Sequence, residues 1–293
     1  MLPFKLPPPL NTAGPPEWVG GGFRLGQQIV PVLEYSENFE GWSDDLTALH
    51  EDAAGESHPI DVASREDALR QLRVNLSTKT PCILEIGCSS GFMLKKMRLA
   101  LPDAMIIGAD VVREPLYRLA KELPFVPLLR FDLLQCPLPS ASFDAVVMLN
   151  VLEHIEDDAA ALAQVYRILR PGGIAVIEVP AGPHLYDAYD KALKHFRRYD
   201  ISELTSKLRG AGFSVERQSH LGFFIYPAFS IVKKRNQSRL NEEDLDLIVR
   251  KQASNTAASS LLKVVLILEG FLSRWISYPK GIRCLVVARK RAT

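Results

Sequence analysis

The chain has 293 residues, 47% hydrophobic and 24% charged, proportions that exclude a disordered, collagen-like or coiled-coil protein. Lysine and arginine total 35 against 34 aspartates and glutamates, so the formal charge of +1 supplies no global field for a nucleic acid or an anionic membrane. The 4 cysteines, Cys82, Cys88, Cys136 and Cys284, lack a CxxC spacing, which argues against a zinc or disulfide framework and fits a cytoplasmic location.

Residues 1–22 carry prolines and glycines in clusters, ending in Gly20, Gly21 and Gly22, and predict an irregular arm without the apolar stretch of a signal peptide. Residues 23–79 are mixed and partly helical, so residues 1–79 together form an N-terminal arm and lid. From Thr80 the pattern changes. Short runs rich in Ile, Val and Leu alternate with segments of helical period, the signature of βαβ units on a parallel sheet. The strands are expected at Cys82 to Ile86, Met105 to Ala109, Pro127 to Phe131, Ala145 to Leu149 and Ile174 to Val179, with a sixth at Phe213 to Gln218. Between them, Leu116, Leu119, Ala120 and Leu123 recur at helical spacing, as do Leu162, Val165, Tyr166 and Leu169. Pro115 suits a first helical turn, Asp200 to Glu203 reads as a capping box, and Arg170 to Gly173 ends a helix before a strand.

Residues 80–222 thus make the core, and residues 223–280 an α-helical insert and candidate lid between the last two strands. Residues 281–293 contain a final strand, Cys284 to Ala288. Within the insert, Lys251 to Ser260 reads as a polar loop. The apolar run Leu261 to Ile276 contains Lys263, Glu269 and Arg274 and is too short to span a bilayer.

The segment Ile83 to Gly91, ILEIGCSSG, is a buried strand, a small-residue turn and a helix start. Glycines at such a turn let the backbone approach a ligand, and the helix N-terminus favours its anionic part. The pattern departs from the dinucleotide fingerprint GxGxxG. Glu85 places a carboxylate at the strand end, which repels a pyrophosphate but suits an ammonium or sulfonium group. Asp110 lies 23 residues after Gly87, near the spacing of an acid that holds ribose hydroxyls, and Asp132 ends the third strand where an adenine amino group can be bonded.

With these residues the chain resembles the class I S-adenosylmethionine-dependent methyltransferases, through LEIGCSSG, IIGAD, RFDLLQCPLPSASFDAVVMLNVLEHI and LRPGGIAVIEVP between about Cys82 and Val179. The resemblance implies an α/β fold with a Rossmann-like, seven-stranded sheet whose last strand is antiparallel, and S-adenosylmethionine as cofactor. By position, Glu85, Gly87 and Gly91 surround the methionine moiety, with Cys88 of the same turn. Asp110 binds ribose, Val111 flanks adenine, Asp132 and Leu133 contact its edge, and Asn150 faces the methyl side. Ser89 stands where the family turn often has glycine.

Methyl transfer needs proximity and exclusion of water, with a base only where the nucleophile carries a proton. His154, His195 and Tyr199 are the catalytic candidates. Each also suits a structural role: His154 beneath the cofactor, His195 and Tyr199 in a substrate-positioning loop. Quinone O-methyltransferases of the superfamily carry acid, acid and histidine after the fourth strand. Here the positions are Asn150, Glu153 and His154, which removes one anionic ligand, so no metal is expected.

Arg197 and Arg198 can clamp a substrate carboxylate or phosphate, or stand as solvated loop charges. Phe223 to Phe229 and Leu261 to Leu268 suit lid packing, an apolar or lipid-like acceptor chamber, peripheral membrane contact or a dimer interface. Trp18 and Trp42 are placed to close over the cofactor. The expected activity is methylation of a small-molecule acceptor at oxygen, with sulfur or nitrogen methylation and non-methylating chemistry as alternatives. The weak basic runs Lys233-Lys234-Arg235 and Arg197-Arg198 argue against a nucleic-acid partner, and a monomer or homodimer is expected.

Overall fold

In a computed structural model describing residues 2–37, 55–237 and 260–292, the apolar runs after Thr80 become strands of one central sheet. The N-terminal region forms β1 (Glu17–Trp18), β2 (Phe23–Leu25), β3 (Gln28–Val30), β4 (Val32–Glu34) and helix α1 (Pro59–Asn75). The core continues with β5 (Cys82–Ile86), α2 (Phe92–Ala100), β6 (Met105–Asp110), α3 (Arg113–Glu122), β7 (Leu128–Arg130), β8 (Phe143–Leu149), α4 (Asp158–Ile168) and β9 (Leu169–Pro180). Next come α5 (Ala188–Ala192), α6 (Ile201–Gly210) and β10 (Phe213–Leu221). The insert helices α7 (Tyr226–Gln237) and α8 (Ser260–Leu272) lead to β11 (Arg283–Lys290).

The sheet order is β10-β11-β9-β8-β5-β6-β7-β4, with β11 antiparallel to both neighbours and the strands from β9 to β4 parallel. Successive side chains enter opposite layers, as a pleated strand requires. Leu84, Ile86, Val146 and Met148 pack with α4 and α6, whereas Ile83, Ala145, Val147 and Val176 pack with α1, α2 and α3. Both faces are covered, which is why these strands read as continuous apolar runs.

The N-terminal region differs most from expectation. The expected seven strands form, and β4 adds an eighth, pairing Val32 with Leu128 at the sheet edge. Residues 1–22 are not wholly irregular, because Trp18 pairs with Phe23 in a small antiparallel sheet turned by Gly20 to Gly22. Leu6 and Phe23 are buried in the main core, and the ring of Phe4 meets that of Phe143 edge-on at 5.0 Å. This part of the arm belongs to the core. Helix α1 of the N-terminal region packs against α8 of the insert.

The caps shift as well. Asp200 precedes α6 without a side-chain cap bond, whereas Asp187 and Asp190 form a reciprocal capping box on α5. Trp18 packs on Phe23 with ring centroids 4.8 Å apart, in the core layer rather than over the ligand crevice. Trp42 and residues 251–259 lie outside the described residues; Ser260 begins α8.

Phe23→Ala is expected to lower unfolding free energy by about 3 to 5 kcal/mol in urea melts, the loss typical of a buried aromatic ring. A change below about 1 kcal/mol would show that the arm is not part of the cooperative core.

Candidate functional site

Strand order reverses between β5 and β8, and such a switch point opens a crevice at the strand C-termini. A cavity of about 630 Å³ lies there, within the range of small-molecule sites. At one end, Gly87 and Gly91 have φ of +75° and +72°, a left-handed conformation that only glycine adopts freely. A Cβ on Gly87 would stand 2.3 Å from Val151 Cγ2, and one on Gly91 2.4 Å from Leu119 Cδ1. Ser89 and Asn150 are also left-handed, at +44° and +54°, so two non-glycine residues hold uncommon backbone conformations at the cavity wall.

Asp110 joins the two turns. Its carboxylate accepts the Ser89 N–H at 2.8 Å, the Val111 N–H at 2.8 Å and the Val112 N–H at 3.1 Å. Asp132 accepts the Leu134 N–H at 2.9 Å and starts the short turn Leu133–Gln135.

Glu85 is buried at the end of β5, and its Oε2 has no hydrogen-bond partner. Burial, then the neighbouring charge of Asp110, pushes its carboxyl well above the ordinary range. A ligand cation at this position relieves both penalties. Burial also pushes the Cys88 thiol well up, which keeps it neutral. Of the expected cofactor residues, Glu85, Gly87, Cys88, Asp110, Val111, Asp132, Leu133 and Asn150 line the cavity, while Gly91 supports the turn from behind.

The chain matches the model of a family described as "Methyltransferase domain" over residues 84–177. A probable S-adenosylmethionine-dependent methyltransferase of Mycolicibacterium smegmatis is 33% identical over 136 residues, 46% of this chain and 52% of that protein. An uncharacterized methyltransferase of Mycobacterium bovis is 34% identical over 146 residues, 49% of this chain and 70% of that protein. The chain belongs to the class I S-adenosylmethionine-dependent methyltransferases.

The chain thus spans about half the length of the Mycolicibacterium relative. A solved structure, a putative sarcosine dimethylglycine methyltransferase from Galdieria sulphuraria, shares the fold, with a TM-score of 0.57 at 14% identity over 85% of this chain and 99% of that one. S-adenosylmethionine is the cofactor of this methyltransferase, and the site fits it. The orphaned Glu85 oxygen would meet a cationic group there, the glycine turn leaves room for backbone contact, and Asp110 and Asp132 line the same cavity.

The opposite end of the methyltransferase cavity is polar. His195 is buried, and its Nδ1 lies 2.9 Å from Asp190 Oδ1. The same carboxylate accepts Arg198 Nη1 at 2.8 Å and Lys233 Nζ at 2.9 Å, and Lys233 also donates to Asp187 at 2.7 Å. Burial alone would raise the Asp190 carboxyl, but the His195 hydrogen bond and the charges of Lys233 and Arg198 hold it well below its usual value. An ionised Asp190 accepts, so His195 carries its proton on Nδ1 and leaves Nε2 as a lone pair. Burial, with Arg198 and Lys233 nearby, lowers the His195 pKa against the pull of Asp190, which keeps the ring neutral.

His154 lines the cavity beside His195, their rings edge to face at 4.7 Å. Tyr199 does not join them. It is fully buried, its hydroxyl donates to Asp158 at 2.9 Å, and it does not line the cavity. Burial, then the Asp158 charge, pushes its phenol far up, so Tyr199 is a core residue rather than a catalytic one.

The arginine clamp is likewise absent. Arg197 pairs with Asp158 at 2.8 Å outside the cavity, and the fork of Arg198 is spent on Ala181, Ile282 and Asp190. Of the expected apolar lining, Phe229 alone among Phe223 to Phe229 reaches the cavity, and none of Leu261 to Leu268 does. In their place stand Asp61, Ser64 and Arg65 of α1, together with Tyr189, Lys233 and Arg283. Arg283 binds Asp61 and, at 3.0 Å, Glu178. The basic runs are weaker than their sequence, since Lys233 and Arg198 are buried in ion pairs.

Glu153 is fully buried at the cavity wall, and neither carboxylate oxygen has a partner on another residue. Burial pushes its carboxyl up to about 8. Among the described residues, Glu153, His154 and His195 place their donor atoms within 4.8 Å of one another, and this donor set can hold a divalent cation; Asn150 contributes no carboxylate to it.

Because the ordinary carboxyl value is 4.5 and the folded value about 8, the native state binds this proton more tightly, and stability falls as pH rises between them. Glu153→Gln removes that cost. In urea melts with chelator present, the variant is expected to gain on the native protein by on the order of 1 kcal/mol per pH unit from about pH 5 to pH 8. A gap that does not change with pH would mean that Glu153 meets a counter-charge.

Proposed function

We propose that this methyltransferase methylates a polar small-molecule acceptor at a hydroxyl oxygen, with His195 as proton acceptor. The observation that carries the reading is the His195–Asp190 pair at the cavity wall, where Asp190 engages Nδ1 and leaves Nε2 as the basic nitrogen of a neutral imidazole. Bound S-adenosylmethionine supplies a methyl group on cationic sulfur, already activated toward in-line displacement.

The chain's own residues then have separable tasks. Glu85 holds the cationic methionine end, and Asp110 with Asp132 holds the nucleoside. Nε2 of His195 would take the hydroxyl proton as the acceptor oxygen bonds to the methyl carbon and the carbon–sulfur bond breaks, leaving neutral S-adenosylhomocysteine. The buried ion pairs of Lys233, Arg198 and Arg283 exclude water and give the acceptor end a polar wall. The expected apolar segments contribute only Phe229 to the wall, beside Leu193, Phe196 and Ile282.

Incubation with S-adenosylmethionine and a panel of hydroxylated polar metabolites is expected to yield S-adenosylhomocysteine and a product heavier by one methyl group. A product of unchanged mass would overturn the reading in favour of non-methylating chemistry. Asp110→Ala is expected to weaken calorimetric S-adenosylmethionine affinity at least about tenfold, the loss of a charged hydrogen bond.

The proton acceptor is tested separately. His195→Ala is expected to lower turnover by about 10²- to 10⁴-fold at unchanged cofactor affinity. Tyr199→Phe should keep turnover within a few-fold while lowering stability by about 1 to 3 kcal/mol. Loss of turnover in Tyr199→Phe with retention in His195→Ala would reverse the assignment.

A further inference from the structure

Helix α8 carries a surface that neither the core nor the cavity uses. Its inner side is buried through Leu266 and Glu269, each 3% exposed, with Glu269 accepting the N–H groups of Gly222 and Phe224. Its outer side shows Leu261, Val264, Ile267, Leu268 and Phe271, continued past the helix end by Trp275 and Ile276; Leu261, Ile267 and Trp275 are 75%, 72% and 69% exposed. Positions 261, 264, 268, 271 and 275 recur every three or four residues and so share one face. The rings of Phe271 and Trp275 meet edge to face at 5.0 Å.

The charges on this surface have one sign. Lys263, Arg274 and Lys280 are exposed, whereas Glu269, the acid of residues 260–280, is turned inward. Scattered apolar residues are ordinary on a protein surface; a contiguous aromatic and aliphatic face rimmed by cations is the pattern of an interfacial helix.

We propose that this face lies in the headgroup layer of an anionic phospholipid membrane, with Phe271 and Trp275 entering the acyl boundary and Lys263, Arg274 and Lys280 against lipid phosphates. No helix among the described residues is long and apolar enough to cross a membrane, and α8, with 13 residues, lies in the interface plane. The charge pattern favours lipid over a second copy of the chain. A two-fold pairing of this face sets like charges against each other, whereas an anionic surface neutralises them. The attachment is independent of which acceptor the cavity takes.

Trp18→Phe/Trp42→Phe leaves Trp275 as the remaining tryptophan of the 3 in the chain. Its emission is expected to shift to the blue on adding phosphatidylglycerol/phosphatidylcholine vesicles but not pure phosphatidylcholine vesicles. The wild-type protein should float with the acidic vesicles and be released by about 0.5 M salt. Ile267→Glu/Phe271→Glu and, separately, Lys263→Glu/Arg274→Glu should each lower the bound fraction more than about tenfold, with circular dichroism melts unchanged. The proposal is overturned if the wild type does not float, if both variants float equally well, or if sedimentation in lipid-free buffer shows a dimer that the Ile267→Glu/Phe271→Glu variant abolishes.

Discussion

One buried carboxylate, Asp190, holds the polar wall of the cavity together. It receives the ring N–H of His195, the guanidinium of Arg198 and the ammonium of Lys233, groups from the loop after α5 and from the insert helix α7. Removing one partner from such a buried cluster leaves charge uncompensated, at a cost of about 3 to 5 kcal/mol. The cluster therefore fixes three things together: α7 against the core, the tautomer of His195, and a dry polar wall. Lys233 adds a cation–π contact at 5.0 Å to Tyr189, and Arg198 one at 5.7 Å to Phe229 of α7, so the insert meets the core through aromatic faces as well as charge.

The cofactor end follows a different logic. Asp110 accepts three backbone N–H groups and so ties two turns together. Glu85 keeps an oxygen without a partner in a buried position, an arrangement that is costly until a cation arrives. The protein is thus complementary to a ligand that is cationic at one end and rich in hydrogen-bonding groups at the other. The two left-handed non-glycine residues, Ser89 and Asn150, line the cavity in backbone conformations uncommon for their type.

Legibility in the sequence follows contact range. The strand from Cys82 to Ile86 and its glycine turn are visible because period and turn chemistry act between near neighbours. The polar wall of the cavity is not, since Lys233 meets Asp190 across 43 residues, Ser64 meets Glu178 across 114, and Arg283 meets Asp61 across 222. The segment His195 to Tyr199 shows the same limit at close quarters. Four of its five residues are polar or titratable, yet His195 and Arg198 face the cavity, Arg197 pairs outside it with Asp158, and Tyr199 is core.

The sequence by itself determined the α/β class, the apolar runs that become seven of the eight strands of the main sheet, and the small-residue turn after β5. Each rests on local periodicity or on steric demands at single residues, which need no knowledge of distant neighbours; the antiparallel last strand was implied only by the family resemblance. The tertiary structure alone decided that the arm supplies β4 and two core residues, that Tyr199 is structural, and that the insert's most apolar run faces outward while a buried lysine faces the cavity. A helix such as α8 has two faces that both read as apolar, and only packing against α1 decides which is covered. A charged residue such as Lys233 enters the interior only when its counter-charges are already placed, and their placement is a property of the assembled fold.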